Sequence, residues 1–277
     1  MQRDDTCVAP TVYFMPHPTI YLKYALHDIE RKIIMDKPDI ILPPPFDWCS
    51  IPQGQVTLMP HGLDNELYLK QPMTVNVPAF YMAKYPITNK QYAEYIYHGG
   101  GAIPFYWDSP HWNCDDCPVV AMTWYEAVKF CRWLGDKTGA MIMLPTDAMW
   151  QRASQGYDNR IYPWGDMWDA SLCNHNVDKA GIGKTTPVYQ YEGKSDSPYG
   201  CVDMAGNIWE WCITKYRTGE NRLSGVHTDD RILRGGSWYT QHADRIGCLF
   251  TNRNNPLNGG YSNKGFRVAC FANANFE

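Results

Sequence analysis

Nothing in the 277-residue chain approaches the ~20 consecutive apolar residues that a membrane-spanning helix needs, so no helical span is expected. Long basic runs are also missing. With 25 basic residues against 29 acidic ones the formal net charge is −4, which excludes a general phosphate-attracting field, and nucleic acid is not an expected partner. The first ten residues, Met1 to Pro10, are polar and acidic and lack the apolar core of a secretory signal. A cytoplasmic location is therefore expected, with most of the ten cysteines read as buried thiols. No internal repeat is visible.

Aromatic residues are abundant, with 11 Trp and 19 Tyr, and these suit both loop packing and binding faces. The 22 glycines and 20 prolines predict long loops and turns. From Pro18 to about Asp36 the spacing of Leu22, Ala25, Leu26, Ile29 and Ile33 predicts one amphipathic helix. It reads as a helix docked on its own domain, or alternatively as a partner helix. The run Ile41-Leu-Pro-Pro-Pro-Phe46 reads as a stiff linker, giving an N-terminal extension over 1–47 and a domain over 48–277.

Within that domain, Ile51 to Leu58 and Met73 to Met82 are strand-like. Two helices carry start signals. Thr88 and Gln91 form a capping box, and so do Thr123 and Glu126, each followed by apolar residues at helical spacing. Thr146 caps a short third helix through Arg152. After about Gly156 the chain is short apolar pieces between Gly, Asn, Asp and Pro. This is an α+β layout with long irregular loops.

Several segments recur in a fixed order: Tyr81-Met-Ala-Lys-Tyr-Pro-Ile-Thr-Asn89, Pro118-Val-Val-Ala-Met-Thr-Trp-Tyr-Glu-Ala127, Leu144-Pro-Thr-Asp-Ala-Met-Trp150 and Tyr162-Pro-Trp-Gly-Asp166. After them come Asp203-Met-Ala-Gly-Asn-Ile-Trp-Glu-Trp211, Leu233-Arg-Gly-Gly-Ser-Trp238 and Gly265-Phe-Arg267. Taken together the chain resembles the sulfatase-modifying-factor family. That family includes formylglycine-generating enzyme, the C-terminal halves of ergothioneine-type sulfoxide synthases and the variable proteins of diversity-generating retroelements. The resemblance implies a C-type-lectin-like fold with two main helices, short strands and long loops. Because enzymes and pure binders share that fold, function has to come from the site.

The resemblance implies a structural calcium ion held by side-chain oxygens of Asp203 and Glu210 and by the carbonyls of Gly206 and Ile208. Two carboxylates around a tight turn suit a hard cation, while capping of local backbone is the competing reading. A second family calcium site falls within Asn174 to Ile182, where Asn174 and Asn176 are both candidates and Asp178 is the nearby acid. In the copper-dependent enzyme two cysteines follow the Arg-Gly-Gly-Ser turn. Here those positions hold Thr240 and Arg245, neither of which supplies the soft thiolate that Cu(I) needs. No copper is expected. Cys248 is a single cysteine out of register. An iron site of the sulfoxide-synthase kind is not expected, since the N-terminal extension is too short for the separate domain that carries it.

Cys114 and Cys117 read as a loop disulfide or as two free thiols, because two intervening aspartates oppose thiolate formation. The resemblance also brings Cys131 towards Cys270. The stretch from Trp238 to Lys264 is rich in Asn, Tyr, Ser, Asp and His, a composition that suits binding loops. It sits where the variable proteins of diversity-generating retroelements carry their variable region. The same asparagines also suit loop stapling. The leading reading is a non-enzymatic scaffold that binds a protein or other macromolecule. Its expected contact residues are Tyr239, Thr240, His242, Asp244, Arg245, Asn258 and Tyr261, on one exposed surface. Trp209, Trp211, Trp238 and Phe266 are expected to be buried beneath it, and Arg234 and Arg267 to be paired inside. The alternative is a metal-dependent oxidase.

Overall fold

The computed structural model describes residues 37–223 and 228–271. The helix expected between Pro18 and Asp36 lies outside the described residues. Everything below lies in the unit that runs from Met35 to Glu277.

The expected linker is part of the folded body. Leu42 is buried in the main core cluster with Phe46 packed against it, and the amide of Gln91 donates to the carbonyls of Pro43 and Pro45. Prolines without N–H donors leave carbonyls that need partners, and a helix-start glutamine supplies them. The two strand-like stretches each split in two. β1 (Trp48–Ile51) ends at Pro52 and β2 (Gly54–Leu58) follows, while β3 (Met73–Val77) ends at Pro78 and β4 (Phe80–Ala83) follows. A proline cannot donate to a ladder, so pairing changes there. β1 pairs with β4 and β2 with β3, in separate sheets.

α1 (Asn89–Tyr97) and α2 (Trp124–Thr138) both begin at the expected capping boxes, on Thr88 with Gln91 and on Thr123 with Glu126. After α2 the chain turns at Gly139 in the left-handed region and enters β5 (Met141–Met143). α3 (Asp147–Gln155) starts at Thr146, whose hydroxyl accepts from Met149 N. β10 (Ala269–Phe271) pairs antiparallel with β4 and β5, completing a sheet of order β1-β4-β10-β5. The second four-stranded sheet contains β6 (Trp209–Lys215), β7 (Arg231–Gly235), β8 (Gly247–Asn254) and β9 (Lys264–Gly265), ordered β8-β7-β6-β9. This is the α+β, C-type-lectin-like arrangement expected from the sequence. α3 packs on β2, β3, β6 and β8, and most of the chain between them is loop. Among the described residues no helix is long and apolar enough to cross a membrane.

Candidate functional site

The site rests on two buried arginines, one at each end of the 238–263 stretch. Arg234, on β7, donates through Nε to Asp147 at 2.6 Å and through Nη2 to Gln151 at 2.7 Å, while Nη1 reaches the carbonyls of Cys248 and Phe250. Arg267 donates to both oxygens of Glu210 at 2.7 Å and to the carbonyls of Ala83, Lys84, Val202 and Asp203. Both side chains are essentially inaccessible, and a guanidinium survives there only because every one of its nitrogens finds an oxygen. The expectation that these two arginines pair inside holds.

The Arg-Gly-Gly-Ser turn leaves Arg234 through two glycines with positive φ, 93° at Gly235 and 85° at Gly236. A Cβ on Gly236 would lie 2.9 Å from the Ile246 side chain, so the turn can pack against the following loop only as glycine. Beyond it the hydroxyl of Thr240 accepts from Ser237 N at 2.9 Å, and Ser237 Oγ accepts from Tyr239 N. Thr240 is thus a buried turn-closing residue rather than an exposed contact.

The loop walls a shallow open groove of about 290 Å³. Trp209 on β6 and Phe250 on β8 form its apolar floor, with rings 6.1 Å apart. Tyr239, Thr240, Gln241, His242 and Arg245 line one side. Leu63, Ser237, Asn252 and Asn263 complete the lining. Four of the seven expected contact residues are brought together here: Tyr239, Thr240, His242 and Arg245. Asp244 is exposed but is not part of this lining. Asn258 donates to Asn254 Oδ1, stapling its own loop, and Tyr261 lies over the Lys264 amine, 3.3 Å from ring centroid to Nζ. Neither lines the groove.

Trp209, Trp211 and Phe266 are buried as expected, and Trp238 is not. It is half-buried because its indole N–H must reach the carbonyl of Ser262 at the rim, and its ring meets Trp112 at 5.3 Å. That contact extends the surface along an aromatic row that composition alone did not locate. Phe105 meets Tyr106 at 5.0 Å, Tyr106 meets Trp112 at 5.8 Å, and Trp238 meets Tyr239 at 5.4 Å. The row's outer loop is braced by a Cys114–Cys117 disulfide and by Asn89, whose amide donates to three of the loop's carbonyls. Leu63 had no sequence signal, since it lies in a loop without periodicity.

No thiol lines the groove. Cys248 is fully buried, and burial pushes its thiol up to about 12. Cys131 and Cys270 do share the main core cluster, as free thiols. Among the described residues no group of three or more His, Cys, Asp or Glu is placed to hold a metal.

The expected calcium ligands differ in what they can offer. Glu210 gives one oxygen to Arg267 and the other to both Arg267 and the indole of Trp150. Three of its roughly four acceptor positions are used and its charge is already met, so it does not call for a cation. The Gly206 carbonyl accepts from Ile208 N at 2.8 Å. Asp203 is different. It is buried at positive φ, accepts from Asn207 Nδ2 at 2.6 Å, and makes no ion pair among the described residues. Burial pushes its carboxyl up to about 8. Asn174, which donates to the other end of the Asn207 amide, keeps a buried Oδ1 without a partner. A buried carboxyl without an ion-pair partner and an orphaned amide oxygen around one asparagine fit a hard cation better than Glu210 does, because a bound cation would favour the ionised form.

Comparison with known proteins places the same segments in context. Residues 44–272 match the family described as "Sulfatase-modifying factor enzyme 1-like domain". Among curated proteins the chain is 31% identical over 223 residues to "Serine/threonine-protein kinase pkn1" of Chlamydia caviae, covering 69% of this chain and 33% of that protein. It is 29% identical to "Inactive C-alpha-formylglycine-generating enzyme 2" of Bos taurus, covering 56% of this chain and 50% of that one. The chain thus spans between a third and a half of the length of these relatives. Among solved structures it superposes on "Treponema denticola variable protein 1" with a TM-score of 0.60 at 22% identity, over 81% of this chain and 95% of the other.

Proposed function

The chain belongs to the sulfatase-modifying factor enzyme 1-like family, and from that premise we propose that it is a non-enzymatic scaffold whose 238–263 loops bind a protein or other macromolecular ligand. One observation carries the reading: the groove beside the Arg-Gly-Gly-Ser turn is lined by Tyr, Gln, His, Arg and Asn, with a hydrogen-bonded threonine where a metal-binding thiolate would stand. A single imidazole and no sulfur or carboxylate is a poor donor set for a redox metal. The same groups, set against an indole and a phenyl ring, are a good recognition set.

The surrounding body supports that use. The loop ends are tied to buried, fully bonded arginines, and the groove floor is core. Recognition groups on a stiff frame lose less entropy on binding. The aromatic row from Phe105 to Tyr239 extends the surface beyond the groove with flat side chains that add contact area. On this reading the loops are of the variable kind, and a structural calcium ion at Asp203 stiffens the turn leading into β6.

Two measurements test the proposal. A cysteine-containing sulfatase peptide incubated with the protein, Cu(I) and oxygen should show no turnover, and turnover at an enzyme-like rate overturns it. Genomic sequencing around the gene should find a reverse transcriptase and a near-identical template repeat. Their absence, with the 238–263 segment invariant among isolates, removes the variable-loop part.

A further inference from the structure

Arg245 stands at the groove wall with its guanidinium 5.7 Å from the Phe250 ring centroid. Among the described residues no carboxylate pairs with it, although every other arginine at the loop's two ends is saturated with oxygens. His242 is three residues earlier in the same wall and is exposed. Neither Asp nor Glu lines the groove. In a protein with a formal charge of −4, this leaves the Arg245 guanidinium as the charged group above an apolar floor. A guanidinium resting on an aromatic face is held in place by the ring's negative quadrupole while its N–H edges stay available.

Resting on the binding-scaffold reading above, we propose that the groove recognises an acidic side chain, Asp or Glu, within a peptide segment of a partner protein, with an adjacent bulky apolar residue on the Trp209–Phe250 floor. The carboxylate meets Arg245 through two parallel N–H···O bonds, the geometry a guanidinium offers best. Asn252 keeps its Nδ2 for the peptide backbone, since its Oδ1 accepts from Arg253 N. Exposed Leu63 and Tyr239 flank the floor and cover the apolar neighbour.

The carboxylate is a side chain rather than a chain end. Capture of a C-terminus uses converging main-chain N–H groups. Here those of Ser237, Tyr239, Thr240 and Arg245 are all consumed inside the turn, by Thr240 Oγ1, Ser237 Oγ, Ser237 O and His242 O. The charge the wall presents is the Arg245 side chain.

The test is fluorescence polarisation with the intact chain and fluorescein-labelled heptapeptides, drawn from a library in which one central Asp or Glu is flanked by random residues. The best binder is then resynthesised with Asn or Gln, and with Lys, at the central position, each with a blocked C-terminus. Acidic peptides should bind, the amide versions at least tenfold more weakly and the Lys versions not measurably. Arg245→Ala should give the same tenfold loss, and Arg245→Glu should favour the Lys peptide. Gln241→Trp, on the exposed wall, fills the groove and should abolish binding; Leu63→Trp does so from the opposite side should the first variant melt early. If Gln241→Trp and Leu63→Trp block binding but acid and amide peptides bind equally, the acidic preference is wrong and the groove stands. If acidic peptides bind undiminished to both filled variants, the groove itself is not the binding face. If no acidic peptide binds the wild-type chain, the inference is wrong.

Discussion

Arg267 holds Glu210 by both oxygens, Nε on Oε2 and Nη2 on Oε1, each at 2.7 Å, where neither side chain meets solvent. Glu210 is on β6 and Arg267 lies just beyond β9, so the pair ties the parallel edge of the second sheet together. Its remaining N–H groups bond four carbonyls on the β4 and 202–203 segments, joining three parts of the chain at one point.

Glu210→Gln keeps the shape of this junction but leaves a buried guanidinium uncompensated. It should destabilise the fold by on the order of 3–5 kcal/mol in urea titration monitored by circular dichroism. A loss below about 1 kcal/mol contradicts the structural role assigned to the pair.

Trp211 and Trp238 should behave differently. Trp211 is fully buried, and Trp211→Ala should cost ~3–5 kcal/mol. Trp238 is half-exposed at the rim, so Trp238→Ala should cost less, about 1–2 kcal/mol, mostly through lost area against Trp112. Equal losses for the two would mean that Trp238 is a core residue.

Calcium should raise the melting temperature and a chelator should lower it, because an ion that binds only the folded state stabilises it by mass action. Asp203→Asn should remove both responses, since it takes away the one buried carboxyl there that a cation could ionise and bind. Identical melting with calcium and with chelator in the wild-type chain rejects the ion.

Lys264 titrates in an unusual range. Burial lowers its amine from 10.5 to about 7, and the Tyr261 ring lies against it. Between about pH 7 and 10.5 the unfolded chain therefore holds more protons than the folded one, so this residue's contribution to stability rises with pH across that window. Below about 7 the burial cost of the charged amine is fully present. Lys264→Met should flatten the pH dependence of the urea midpoint over that range and stabilise the protein at pH 6. An unchanged slope counts against the depressed amine.

Capping boxes were the most legible part of the sequence, since Thr88 with Gln91 and Thr123 with Glu126 encode their bonds within four residues. The strand-like stretches were legible as extended chain but not as pairs of strands in different sheets. Pro52 and Pro78 mark the breaks only once the partners are known. Arg234 and Arg267 could be expected to pair inside, but their acceptors Asp147 and Glu210 are far away in sequence. One wall residue of the groove was hidden for the same reason. Leu63 reaches it from a loop whose backbone bonds Thr251, a long-range contact with no local pattern. Thr240 misled because a hydroxyl in a binding-type segment looks exposed, whereas its bond to Ser237 N turns it inward.

The two glycines of the turn after Arg234 and the carbonyl-saturated Arg267 fix where the intervening segment starts and stops, whatever lies between them. For a protein engineer that makes the exposed positions of the 239–245 loop, apart from the buried β8 that follows, an exchangeable cassette. Wholesale replacement of Tyr239, Gln241, His242 and Arg245 by other residues should leave the frame standing, so a display library randomised at those codons should remain mostly folded.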